Sequence, residues 1–247
     1  MKLLAVATLL PPLLLAPLAR AADAVPRLEG FWTQSFAPGP EVEQLRAKLP
    51  AGTLVINDAG GLELREGDYG GLVLSEAAKA EIRNYDFKNE LSREFACTVP
   101  SVVMNMQAPF PLEILQDEKL IVLRLEYFDM VRIIHLDGRG HPPADAPHSK
   151  AGHSIGHWEG DELVVDTTHL LAGSFLNNGF SHSEDLHFVE RFRLGADGRT
   201  LHASQLSEDP AVFEGKAARL VSWRKGDDYI YPYECDPSFA EVGEPLE

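Results

Sequence analysis

LEILQDEKLIVLRLEYFDMVRIIHL, residues Leu112 to Leu136, reads as three strands joined by tight turns. The apolar-rich runs Leu112–Gln116, Leu120–Tyr127 and Met130–Leu136 are separated by Asp117-Glu118 and Phe128-Asp129. The third ends at Asp137-Gly138, a strong turn dipeptide. The rhythm continues C-terminally with turns at Glu159-Gly160-Asp161, Ala196-Asp197-Gly198 and Lys225-Gly226-Asp227, before a last strand over Tyr229–Cys235. Parallel neighbours need long crossovers, so about eight or nine strands joined mostly in this way predict a mainly β, antiparallel sheet. Curling that up-and-down meander into a barrel removes its edges.

N-terminal to this block the pattern changes. Residues 34–73 place Gly and Pro around short apolar pieces, Thr53–Ile56 and Leu62–Leu64, and read as loops and edge strands. Ser75 followed by Glu-Ala-Ala-Lys-Ala-Glu-Ile predicts an N-cap and a helix of about ten residues. Glu90 to Pro111 has little periodicity and reads as an extended, lid-like segment tied down at Cys97. The expected plan is a signal segment over residues 1–21 and a single barrel domain over 22–247, with a helical and extended insertion at about 74–111.

The signal reading rests on Lys2, an apolar run from Leu3 to Leu18 broken by Pro11, Pro12 and Pro17, and the small-residue motif Ala19-Arg20-Ala21. Cleavage near Ala21 predicts a periplasmic or secreted protein with no membrane span. The formal charge of the whole chain is −16, and cleavage removes Lys2 and Arg20 but no acidic residue. Such a surface disfavours nucleic acid and anionic lipid as partners. Two cysteines, Cys97 and Cys235, in an oxidising compartment predict one disulfide.

All nine histidines lie between His135 and His202, which localises any imidazole chemistry. Glu190 is the sharpest single residue. Period-2 alternation puts it on one strand face with Leu186, Phe188, Phe192 and Leu194, and His187, Val189, Arg191 and Arg193 on the other. A carboxylate among aromatics is either a general acid or base with a raised pKa, or half of a buried ion pair with Arg132 or Arg124. Asp166 ends the run Leu163–Asp166, and His135 and Asp137 end another strand, where polar groups at a barrel mouth converge on a ligand. Gly152-His153-Ser154-Ile155-Gly156 matches a nucleophile elbow with Asp166 and His182 following in order, but it lacks the strand-turn-helix context. His182, Glu184 and His187 lie near one another in sequence, but two histidines five apart share neither a helical nor a strand face, so no metal site is expected.

The motif from Gly156 to Thr167, GHWEGDELVVDT, together with His182 to Phe192, HSEDLHFVERF, and Glu208-Asp209-Pro210, resembles a widespread family of secreted bacterial proteins. The likeness spans roughly Leu74 to Cys235 and implies export without implying a particular activity. Gly30-Phe31-Trp32 is similar to the opening of lipocalin-type (calycin-like) barrels, in which the Trp plugs one end.

The expected function is an exported barrel that binds a small hydrophobic or aromatic molecule and acts on it as a lyase or isomerase by proton transfer, with no cofactor. The expected catalytic residues are Glu190, His182 and Asp166; Arg132, Tyr127, His135, His187, Glu184 and Trp158 are expected to contact the ligand. A lipocalin-like carrier is the alternative, with a metal-dependent enzyme or a serine hydrolase behind it.

Overall fold

The computed structural model describes residues 25–35, 39–56, 67–86, 95–176, 179–227 and 229–238. The signal reading at 1–21 and the apolar piece at 62–64 lie outside them. In chain order the elements are β1 (Gly30–Ser35), α1 (Pro40–Ala47), β2 (Leu54–Val55), α2 (Glu76–Arg83), α3 (Val102–Asn105), β3 (Leu112–Gln116), β4 (Leu120–Leu125) and β5 (Met130–His135). They continue with β6 (His153–Glu159), β7 (Glu162–Thr168), β8 (Gly173–Ser174), β9 (Ser181–His182), β10 (His187–Leu194), β11 (Thr200–Glu208) and β12 (Ala217–Gly226).

Nine of these strands close a barrel in the order β1-β3-β4-β5-β6-β7-β10-β11-β12, with β12 returning to β1. The lipocalin-like barrel with a short helical insertion is therefore the observed fold. An odd ring cannot alternate direction all the way round, so at least one neighbouring pair must run parallel. That seam lies between β5 and β6, where Ile134 pairs with Ser154 and His135 with Ile155. The other ring pairings are antiparallel. Asp137-Gly138 consequently opens a long crossover, Leu136 to Gly152, instead of a hairpin. Gly152 ends it with φ +67°, and a Cβ there would lie 2.8 Å from the carbonyl oxygen of Thr168.

Inward residues fill the barrel axis. Trp32, Ile114, Leu123, Ile134, Val165, Phe188, Phe192 and Trp223 all belong to one buried core. Trp32 is fully buried, its indole N–H donating to the Leu28 carbonyl at 2.8 Å.

Helix α2 begins where its sequence signal lies, with Ser75 Oγ accepting from the Ala78 amide at 3.1 Å. Three expectations change. The 34–73 segment contains α1, started by Pro40 and the acidic Glu41 and Glu43 of its first turn, and anchored by buried Leu45. The 90–111 segment contains the short helix α3, whose four residues are all buried. Tyr229–Cys235 is not a sheet strand, because the Tyr231 and Tyr233 amides donate to the carboxylates of Glu126 and Asp129 instead of to a neighbouring backbone. That strap does return to Cys97, to which Cys235 is bonded.

The disulfide closes a sequence separation of 138 residues, so the chain-entropy account assigns it up to about 5 kcal/mol. Thiol titration of the denatured, unreduced protein should find no free cysteine. Cys97→Ser should lower the urea-unfolding free energy by about 2–5 kcal/mol.

Candidate functional site

Period-2 alternation separates the polar residues of β6, β7 and β10 onto the two sides of the barrel wall. Ser154, Thr167 and Glu190 point inward and are buried, whereas Asp166 and His187 keep 39% and 44% side-chain exposure on the outside. The expected trio of Glu190, His182 and Asp166 therefore falls into three separate environments.

Inside, Glu190 Oε2 lies 2.5 Å from Arg132 Nη2, with both side chains at 0% exposure. This contact is a charge pair and not an aligned hydrogen bond, since among the described residues Oε2 has no hydrogen-bond partner. Gln205 Nε2 donates to Glu190 Oε1 at 3.0 Å, while Arg132 donates from Nε to Ser154 Oγ at 3.1 Å and from Nη2 to Thr167 Oγ1 at 2.9 Å. Of the two readings of Glu190, this geometry is that of the ion pair with Arg132. Arg124 faces outward and pairs with Glu113. Ser154 is thus a buried partner of Arg132, and the elbow-like motif does not assemble with Asp166 and His182.

His182 is buried elsewhere, beside α3. Its Nδ1–H donates to the Ser183 carbonyl at 2.8 Å, so its Nε2 accepts from Ser101 Oγ at 2.7 Å. Burial pushes its pKa down, and both ring nitrogens are satisfied. Glu184 stands 3.9 Å from His148. His182, Glu184 and His187 do not converge, and among the described residues no group of three or more His, Cys, Asp or Glu is arranged to hold a metal. Tyr127 stacks on Phe110 at 4.8 Å under Tyr233, and Trp158 packs against the core.

The outer wall carries the convergent polar cluster. Asp166 Oδ1 accepts from His187 Nε2 at 2.9 Å and from His141 Nε2 at 3.0 Å. His141 Nδ1 in turn lies 3.0 Å from His153 Nδ1, and the His153 ring stacks on His135 at 5.3 Å between centroids. His141 comes from the crossover, which His169 also holds by donating from Nε2 to the Pro143 carbonyl at 2.9 Å. The seam between β5 and β6 therefore brings His141 over β7.

Electrostatics differentiates these groups. The hydrogen bond to Asp166 raises the pKa of His187, despite partial burial. Partial burial opposes ionisation of Asp166, but its bonds to His187 and His141 outweigh that effect and lower its pKa. His153 is lowered by burial first, then by the neighbouring His141, His135, His169 and Arg139. Burial, then Arg139, lowers His135. The cluster therefore pushes the pKa values of His187 and His153 in opposite directions.

Asp166, His187 and His135 are the sequence-expected residues that meet here. His141 and His153 were not expected; the clustering of all histidines in one part of the chain was the only signal for them. Compared with known protein families and with curated proteins, the chain matches none.

Two outcomes follow. Arg132→Met leaves the Glu190 charge buried and unpaired and should cost about 3–5 kcal/mol in urea unfolding. Glu190→Gln should lower the melting temperature by roughly 10 °C, since about 1 kcal/mol corresponds to 2–4 °C at this size. The second concerns pH. His187, raised in the fold, stabilises fully below its ordinary value of 6.5 and loses that contribution as pH rises through its folded value. Asp166, lowered, stabilises above its ordinary 3.8 and loses that contribution as pH falls through its folded value. The stability gap between wild type and Asp166→Asn should therefore be widest from about pH 4 to 6.5 and narrow on both sides.

Proposed function

We propose that the protein is exported, binds a small hydrophobic or aromatic molecule against the outer wall of its barrel, and acts on it as a lyase or isomerase by proton transfer. The observation that carries this reading is the sharing of one half-exposed carboxylate, Asp166, by His141 and His187, with His153 hydrogen-bonded behind them. Asp166 orients both imidazoles and stabilises the cationic form of His187. His187, whose pKa the bond to Asp166 raises, supplies the acid, and His153, whose pKa burial lowers, supplies the base. Ile155 and Val189, the strand partners of Asp166, give the site apolar flanks. The Cys97–Cys235 disulfide supports an oxidising compartment.

This reading moves the ligand from the barrel interior to its outside. The interior holds Trp32, Phe188, Phe192 and Trp223 around the Arg132–Glu190 pair, so Glu190 takes a structural role.

Native mass spectrometry of protein recovered from exporting cells identifies the co-purified molecule, which is then incubated with the protein in D2O. The expected result is deuterium incorporation into that molecule, slowed about 10²–10⁴-fold in Asp166→Asn and His187→Gln. A bound molecule that takes up no deuterium would make the protein a carrier.

A further inference from the structure

We infer that the aliphatic outer face of β3, β4 and β5 is the docking track of the substrate, and that this substrate is an uncharged straight-chain acyl compound whose carbonyl end lies over β6 and β7. The inference rests on the proton-transfer reading above and names the substrate class for that site.

Strand register carries the argument. On the outside of the wall Leu115 pairs with Val122 and Val122 with Ile133, so the three side chains form one row across β3, β4 and β5. Leu115 and Ile133 are each 46% exposed, although the residues on either side of them in the chain are buried. Among the described strand residues the exposed large hydrophobics are Leu115, Val131 and Ile133, all on this face. Across the seam Ile134 pairs with Ser154 and His135 with Ile155, which sets His153 at the level of Ile133. The adjacent row runs from His135 through Ile155 and Asp166 to Val189. The apolar face therefore leads directly into the imidazole cluster.

Shape and charge choose the occupant. The strip is narrow: the Glu113–Arg124 ion pair bounds one edge, and the turn in which the Lys119 amide donates to Asp117 bounds the other. A narrow aliphatic strip suits a chain better than a broad ring system. Three steps between neighbouring strands, from β3 to β6, span about 14 Å, the reach of roughly ten methylenes in an extended chain. Three half-exposed side chains offer at most a few hundred Å², against roughly 800 Å² per partner in a stable dimer, which disfavours a second copy. The formal charge of −16 opposes both self-association and an anionic head. The head must still present an acidic C–H to the cluster, and a neighbouring carbonyl supplies that acidity.

The probes are N-acetylcysteamine thioesters of straight-chain acids, from butanoyl to tetradecanoyl, titrated calorimetrically into the full mature protein. Affinity is expected to rise about two- to fourfold for each added methylene up to about decanoyl and then to level off. Leu115→Asp, at the far end of the track, should weaken decanoyl binding about tenfold and leave butanoyl binding unchanged, because the short chain does not reach β3. Ile133→Asp, beside the cluster, should weaken both. Val73→Asp, at a residue 56% exposed and outside the strands, should change neither. The melting temperature of each variant checks its fold, and the two track variants report independently. Absence of binding, affinity independent of chain length, or length dependence retained in both track variants would overturn the track, as would a wild-type dimer that Ile133→Asp splits. In D2O, length-dependent binding without deuterium uptake at the α-carbon leaves the track and removes the proton-transfer reading, whereas uptake without length dependence removes the track alone.

Discussion

Nine strands cannot close into a ring that is antiparallel throughout, and much of this protein follows from where that constraint is met. The parallel seam between β5 and β6 forces the chain to travel the length of the barrel outside the sheet, from Leu136 to Gly152. That crossover carries His141 and His148 across the outer ends of β6 and β7. Its attachment uses side chains as well as backbone: His141 to Asp166, His169 to the Pro143 carbonyl, and His148 to the Leu170 carbonyl. The Ser149 amide adds a bond to the His169 carbonyl at 3.0 Å. The same contacts that hold the seam closed build the candidate site.

The wall at β6 and β7 has opposite chemistry on its two sides. Ser154 and Thr167 turn inward and satisfy Arg132, while their chain neighbours His153 and Asp166 turn outward into the imidazole cluster. A buried ion pair is costly to desolvate and costs several kcal/mol more when one partner is lost. The Arg132–Glu190 pair thereby ties β5, β10 and, through the hydroxyls, β6 and β7 into one arrangement. A site on the outside of those strands inherits that rigidity, which acid–base geometry requires.

Burial also decides which imidazoles are available for chemistry. His182 and His202 are buried and bonded to Ser101 and Ser222, so their nitrogens are used in packing. His187 and His141 retain exposure and share a carboxylate. Residue type and sequence spacing are alike in the two groups; the solvent boundary separates them.

The barrel, its antiparallel hairpin turns such as Asp117-Glu118 and Glu159-Gly160-Asp161, the Ser75-capped helix, the disulfide and the inward face of β10 were legible in the sequence, because each depends on local periodicity, local turn chemistry or a simple pairing count; the turn dipeptide Asp137-Gly138 instead opens the crossover. The Phe188-Glu190-Phe192 alternation put Glu190 inside on period 2 alone, and it named Arg132 among two possible partners. Only the tertiary structure decided that Glu190 is spent on Arg132, that His182 is spent on Ser101, and that Asp166 gathers His141 and His187. The physical reason is that strand parity says which face a residue occupies, but not what a long crossover will lay against that face. His141 lies 25 positions from Asp166 in the chain, and the contact between them follows from ring closure with an odd number of strands, a global condition that no local pattern encodes.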